Sequence, residues 1–112
     1  MATGRLGVAN ITTTGENMVY EVPASTFSVV TVNVLNRSTT APAEIRIAIS
    51  ATSSTPALSE YIEYGSSIVA KGVLERTGLV MDRTLGRYLI IQTPTATPTL
   101  SVVVMGIETS TA

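Results

Sequence analysis

Residues 27–36 constrain the fold of this chain more than any other stretch. The run is dense in Val and Thr and contains neither Gly nor Pro. Side chains branched at Cβ lose rotamer freedom on a helix but fit the pleated surface of a sheet, so the run predicts a long β-strand. Because side chains alternate along a strand, Val30, Val32 and Val34 share one apolar face. The strand is therefore expected to lie in the centre of a sheet.

The rest of the chain repeats this signal in shorter form. Forty of the 112 residues are Val, Ile or Thr, and residues 44–49 carry Ile at every second position, with Glu44 and Arg46 on the opposite face. Turn residues recur every eight to twelve positions, and no segment has the pattern of a crossover helix. The sequence predicts an all-β fold, namely an antiparallel β-sandwich or jelly roll of seven to eight short strands.

Two levels of organisation are expected along the chain. Residues 1–16 are rich in Gly and Thr and are expected to form an extended N-terminal arm with one short strand around residues 8–11, and residues 17–112 are expected to form a single β-sandwich domain. Residues 82–86 have turn chemistry, which favours a hairpin between the strands on either side. Gly78 interrupts a strand and is expected to mark either a bulge or a close approach of another backbone. The predicted core consists of Val30, Val32, Val34, Ile45, Ile47, Ile49, Ile62, Leu100, Val102 and Val104.

The side chains offer little for catalysis or metal binding. The sequence contains no Cys and no His, which removes the commonest metal ligands and the commonest general base. Its single Asp, Asp82, lies in a predicted turn, where it is expected to cap the backbone. Glu60 and Glu63 are three residues apart on a predicted strand and should point to opposite faces. We expect no catalytic residues, no metal site, no cofactor and no enzymatic activity.

Nucleic acid and membranes are also unexpected partners. The net charge is −1, and the seven basic residues are scattered along the chain, which leaves no stripe of charge to neutralise phosphates. No run reaches the roughly 18 apolar residues of a membrane span, and the first residues lack the apolar core of a secretory signal. We therefore expect no secretion through a signal peptide.

The excess of apolar residues points instead to contacts between subunits. Apolar residues make up 45% of the chain and charged residues only 13%, whereas a typical soluble domain carries about 25% charged residues. Residues 100–107 are apolar on both faces of a predicted strand, and a sandwich needs only one face for its core. We expect the other face to be buried between copies of the chain, in a trimer or another cyclic oligomer. The predicted interface consists of Phe27, Val29, Leu35, Val103, Met105 and Ile107, and the predicted arm contacts are Arg5, Leu6 and Val8.

Three tyrosines leave an alternative of another class open. Tyr61, Tyr64 and Tyr88 could form a stacking platform for a carbohydrate- or receptor-binding module. Such platforms usually place exposed aromatic rings beside carboxylates or amides, and this chain has few aromatic residues. Packing of the rings in the core, with the hydroxyl groups at the rim, is the interpretation favoured by the sequence.

Strand-and-turn motifs recur over nearly the whole chain, at residues 1–7, 19–24, 34–37, 60–64, 72–78 and 104–109. Together these segments resemble small virion structural proteins of tailed bacteriophages, especially phages of cyanobacterial and marine hosts. The resemblance implies a β-sandwich that decorates or cements a particle, without catalytic residues. It also implies that the chain is made in the host cytoplasm, resides in the virion, and contacts the major capsid protein or other virion proteins. A capsid decoration or cement protein is the leading hypothesis, and a tail, neck or fibre-associated protein is the alternative.

Overall fold

The computed structural model describes residues 3–111 and consists of eight β-strands and one short 3₁₀ helix. The strands are β1 (Thr3–Ile11), β2 (Gly15–Glu21), β3 (Thr26–Asn36), β4 (Ala43–Ser50), β5 (Tyr61–Ile68), β6 (Val73–Asp82), β7 (Tyr88–Thr93) and β8 (Leu100–Ser110), with the 3₁₀ helix at Leu58–Glu60.

The strands form two four-stranded antiparallel sheets. Sheet A has the order β1-β8-β3-β6, and sheet B has the order β2-β7-β4-β5. This arrangement is an eight-stranded jelly roll, in which two Greek keys are folded into a double sheet. The sandwich predicted from sequence is therefore confirmed, and β3 lies inside its sheet as expected.

The hairpin predicted across residues 82–86 is wrong. Among the described strands, the chain passes from one sheet to the other at every connection except the one between β4 and β5. Accordingly, β6 pairs with β3, while β7 pairs with β2 and β4. A turn sequence fixes the local reversal of the chain but does not determine whether the next strand joins the same sheet.

The core lies between the two sheets. Its residues are those that the alternation of side chains along each strand places on the inner face. Eight of the ten predicted core residues are buried, and Ile49 and Ile62 are partly buried against the same cluster. The core also contains large side chains that the sequence did not single out: Ile11, Val19, Tyr20, Val22, Ile68, Leu79, Met81, Leu89 and Ile91.

The predicted arm is corrected by strand β1. Residues 3–11 pair antiparallel with β8 along their whole length, from Thr3 opposite Ile107 to Ile11 opposite Leu100. Ile11 is buried in the core, so this segment forms an edge strand of sheet A and not an arm outside the sandwich. Residues 1 and 2 of the predicted arm lie outside the described residues. The strand expected around residues 8–11 therefore begins earlier, at Thr3, and a register shift between Arg5 and Gly7 breaks the alternation along it.

Irregularities in strand pairing are confined to the edges of both sheets. Register shifts occur where β1, β2, β5 and β6 meet their neighbours, whereas the inner pairs β3 with β8 and β4 with β7 are regular. On β6 the shift lies at residues 77–78, and Gly78 has φ of 68°. The bulge expected at Gly78 is confirmed.

Candidate functional site

The outer face of sheet A, which points away from the core, carries an apolar surface spread over all four strands. In one row of paired residues, Ile107 of β8 lies beside Val29 of β3, which lies beside Val80 of β6. In another row, Val8 of β1 lies beside Val103 of β8. Six of the eleven exposed large apolar side chains in the described structure lie on this face: Val8, Phe27, Val29, Val73, Val80 and Ile107.

The six residues predicted as a subunit interface all lie on this outer face. Phe27, Val29 and Ile107 are exposed, while Leu35, Val103 and Met105 are partly buried between their neighbours. They come together because β3 and β8 pair in regular register, with their buried positions in phase.

The three predicted arm contacts are divided by the register shift in β1. Arg5 and Val8 pair with Met105 and Val103 and so belong to the outer face. Leu6 falls at the shift itself and packs partly against the core.

Strand β6 also contributes to this face, which the sequence did not predict. Val73 points outward and so does Val80, although one position is odd and the other even. The bulge at residues 77–78 reverses the alternation between them. The glycine at position 78 indicated this reversal, because a bulge switches the face on which the later side chains of a strand lie.

Asp82, the single Asp of the sequence, stabilises a turn. The Oδ1 atom of Asp82 accepts hydrogen bonds from the backbone N–H groups of Thr84, Leu85 and Gly86 at 3.0, 2.7 and 3.0 Å. These bonds, that from Gly86 foremost, lower the pKa of the Asp82 carboxyl group. The turn role expected for Asp82 is confirmed.

Glu60 and Glu63 occupy different surroundings. Glu60 ends the 3₁₀ helix, and its carboxylate accepts hydrogen bonds from Ser50 Oγ and from the backbone N–H groups of Ala51 and Ala57. Glu63 accepts hydrogen bonds from Ser66 and from Arg76, which reaches across from β6 and so ties the two sheets together at this edge. Within residues 3–111, no three side chains of His, Cys, Asp or Glu come together as metal ligands. The helical structure in these residues is too short to cross a membrane.

The outer face of sheet B carries a polar and aromatic cluster. The rings of Tyr61 and Tyr64 meet edge to face with centroids 5.1 Å apart, and the Arg46 guanidinium lies 4.3 Å from the centre of the Tyr64 ring. Gln92 Oε1 accepts hydrogen bonds from Arg46 at 3.0 Å and from the Tyr61 hydroxyl at 3.3 Å, while Gln92 Nε2 donates to Glu16 at 2.9 Å. Burial, followed by the nearby charge of Glu16, raises the pKa of Tyr61.

The tyrosines do not pack in the core as the sequence favoured. Tyr64 is 58% exposed, and Tyr61 and Tyr88 are partly buried. Tyr88 lies on β7 with the Arg87 guanidinium 4.9 Å from its ring centre. The sheet-B cluster therefore joins two of the three predicted tyrosines in direct ring contact, beside the carboxylate and amide groups of Glu16 and Gln92.

An open cleft of about 520 Å³ lies at one end of the sandwich. It is lined by residues 36–39 and 41–43, which include the connection between β3 and β4, and by residues 95–99, which belong to the connection between β7 and β8. Its one charged lining side chain, Arg37, donates a hydrogen bond to Asn10. The lining otherwise consists of small neutral side chains.

Comparisons with known proteins show the fold and little more. No protein-family model matches the sequence, and no curated protein matches it. A solved structure of Bacillus endospore appendages, described as a family of disulfide-linked pili, matches with a TM-score of 0.54 and 14% identity over 94% of this chain and 84% of that chain.

Two virus structures match with lower scores. Tobacco streak virus coat protein has a TM-score of 0.38 and 7% identity over 89% of this chain and 85% of that chain. The structure of infectious bursal disease virus Gx strain has a TM-score of 0.30 and 15% identity over 98% of this chain and 26% of that chain. Viral coat and pilus-like proteins are thus among the structures that resemble this chain.

Proposed function

We propose that this chain is a non-enzymatic structural subunit of a phage virion, and specifically a capsid decoration or cement protein. It assembles with copies of itself in a trimer or another cyclic oligomer, and with the major capsid protein or other virion proteins. The proposal includes synthesis in the host cytoplasm and residence in the particle. The observation that carries it is the apolar outer face of sheet A.

The size of this face supports a role in assembly. Four strands span about 19 Å and nine residues along a strand about 30 Å, so the whole outer face covers roughly 600 Å². Its exposed apolar side chains are interspersed with polar ones such as Thr31, Asn33 and Glu75. Exposed apolar side chains rimmed by polar residues often mark protein–protein contacts. The core requires only the inner face of sheet A, so the apolar residues on the outer face contribute little to folding of the single chain.

The comparisons support the proposal only at the level of fold. The jelly roll is an architecture that recurs in viral capsid proteins. The matched endospore appendage is described as disulfide-linked, whereas this sequence has no Cys. Disulfide bonds therefore cannot link copies of this chain, and the apolar face is the candidate contact surface.

A double substitution on the face tests the proposal. Val103→Ser together with Met105→Ser should leave the fold intact, because both side chains lie on the outer face. Since each is already partly buried in the single chain, their loss should weaken association by roughly 1.5–3 kcal/mol per subunit, about half of the full burial of two large side chains. Sedimentation velocity and binding to purified particles measure the effect.

The matched control replaces two exposed apolar side chains elsewhere. Val69→Ser with Leu85→Ser removes similar side chains from connections outside the four strands of sheet A, and it should associate like the wild type. Equal behaviour of the two double variants would contradict the proposal. Particle images that place the subunit on the tail, neck or fibres would favour the alternative within the virion.

The sheet-B cluster supports a second candidate function, a carbohydrate- or receptor-binding module. The specific observation is the exposed ring of Tyr64, which lies beside Tyr61 and the hydrogen-bonding groups of Arg46 and Gln92. Sugars commonly stack on aromatic rings flanked by such groups. Glycan-array binding that is lost in Tyr64→Ala and kept in the Val103→Ser, Met105→Ser variant would establish this function.

A further inference from the structure

Most charged side chains in the described structure have a partner within the chain. Three do not, since Arg5, Lys71 and Glu75 make no side-chain hydrogen bond or ion pair with residues 3–111. Two of these three, Arg5 and Glu75, lie on the outer face of sheet A.

Arg5 and Glu75 flank the apolar surface from opposite sides. Arg5 lies on edge strand β1 opposite Met105, and Glu75 lies on edge strand β6 opposite Asn33. Three strand spacings separate β1 from β6, which is about 14 Å. The two charges cannot meet within one copy, and the third charge on this face, Asp82, is engaged by its own turn.

A second copy placed face to face with the first would bring these charges within reach of each other. When the same face of two identical chains is in contact, the contact is isologous and its symmetry is two-fold. With the axis parallel to the strands, β1 of each copy lies over β6 of the other. Arg5 and Glu75 are then offset by one row of residues, about 7 Å along the strand, which a long arginine side chain and the angle between packed sheets can span.

We infer that the outer face of sheet A docks onto the same face of a second copy, with Arg5 of each copy paired to Glu75 of the other. This inference rests on the proposed function, in that it takes assembly with copies of the chain as given and specifies the contact. Two such faces would bury about 1,200 Å² in total, which is at the lower end of specific interfaces. The apolar rows provide the attraction, and the two ion pairs set the orientation.

The shape of the sheet edges favours contact between copies through the faces of their sheets, not through pairing of their edge strands. Every edge strand carries a register shift where it meets its neighbour, whereas the inner pairs carry none. Bulged edges resist the addition of a further strand from another chain. Growth of the sheets from copy to copy is therefore disfavoured.

Charge reversal tests the pairing. Arg5→Glu and Glu75→Arg should each weaken dimerisation about three- to tenfold, because each places like charges at both ends of the interface. The double variant Arg5→Glu, Glu75→Arg restores both pairs and should return to within about twofold of the wild type. An equimolar mixture of the two single variants should form a heterodimer in preference to either homodimer.

Lys71→Glu is the matched control. It reverses the remaining unpaired charge, changes the net charge by the same amount as Arg5→Glu, and lies outside the four strands of sheet A. Sedimentation equilibrium at low salt measures association, and thermal melting confirms that each variant is folded.

The outcomes separate this inference from the proposed function. A wild type that associates while the single variants dimerise equally well, or while neither the double variant nor the mixture recovers, would overturn the pairing and leave the assembly role standing. A wild type that remains monomeric at every concentration and does not bind particles would overturn the assembly role itself.

Discussion

Gly106 of β8 lies directly against the backbone of Val29 on β3. A Cβ atom built at Gly106 would stand 2.1 Å from the Val29 carbonyl oxygen and 2.8 Å from the Val30 Cα atom. These are backbone atoms of the longest strand pair in the structure, so a side chain at Gly106 would force the two central strands apart. The close approach explains a glycine within an otherwise apolar strand.

Gly106→Ala should therefore destabilise the fold by about 3 kcal/mol or more, at or beyond the usual upper end for overpacked sites. Gly78→Ala is the control, since a Cβ at Gly78 meets nothing within 4 Å and the substitution opposes only a φ of 68°. That control should lose about 1–2 kcal/mol. Urea denaturation of both variants checks the prediction, and a Gly106→Ala variant as stable as the wild type would contradict the strand packing.

The same substitution should change the stability of the fold by very different amounts on the two faces of sheet A. Val32 is completely buried in the core, whereas Val80 is 69% exposed on the outer face. Val32→Asp places an unpaired carboxylate in an apolar layer at a cost of several kcal/mol and should prevent folding. Val80→Asp should change the stability of the single chain by only about 0.5 kcal/mol. Circular dichroism and thermal melting distinguish the two, and a cooperatively folded Val32→Asp variant would refute the assignment of faces.

Tyr20 should give the chain a distinct loss of stability at alkaline pH. Its hydroxyl group donates a hydrogen bond to Glu108 Oε2 at 2.6 Å and so connects β2 of one sheet to β8 of the other. Burial, followed by this hydrogen bond to a carboxylate, raises the pKa of Tyr20 from 10.0 to about 12. The folded chain holds this proton more tightly than the unfolded chain, so the associated stability is present below pH 10 and is lost as pH rises through about 12.

Phenolate absorbance provides the measurement. The wild type should show a titration step with a pKa of about 12 that is absent from Tyr20→Phe and retained in the control Tyr64→Phe. Tyr20→Phe should also cost about 1 kcal/mol at neutral pH through loss of the hydrogen bond. If the step persists in Tyr20→Phe, the Tyr20–Glu108 bond is not the cause of the shift.

The sequence predicted the strands and most of the core because alternation along a strand is a local property. Val30, Val32 and Val34 are buried together as their spacing requires. Pairing partners depend on which sheet a strand joins, which local turn chemistry does not encode. The hairpin expected across residues 82–86 was wrong for that reason, because the Asp82 turn carries the chain from sheet A to sheet B.

The candidate interface was predictable where the register is regular and not where it shifts. Val29 and Ile107 face each other on two regularly paired strands, and their exposure follows from simple alternation. Val80 was missed because the bulge beside Gly78 changes the outward position from odd to even. Tyr64 was placed in the core because aromatic rings are usually buried, but it lies on an edge strand with its ring beside Arg46.

Thiol labelling offers the most direct test of burial of the outer face of sheet A in the assembly. The sequence has no Cys, so Val29→Cys introduces a single thiol on the inner strand β3 of this face, at a position that is 40% exposed in the single chain. Leu85→Cys introduces one in the connection between β6 and β7, at a position that is 73% exposed. The rate of maleimide labelling is measured in dilute protein, in concentrated protein and on particles. We expect Cys at position 29 to become protected at high concentration or on particles while Cys at position 85 stays reactive. Equal labelling of both positions under all three conditions would show that this face is not buried in the assembly.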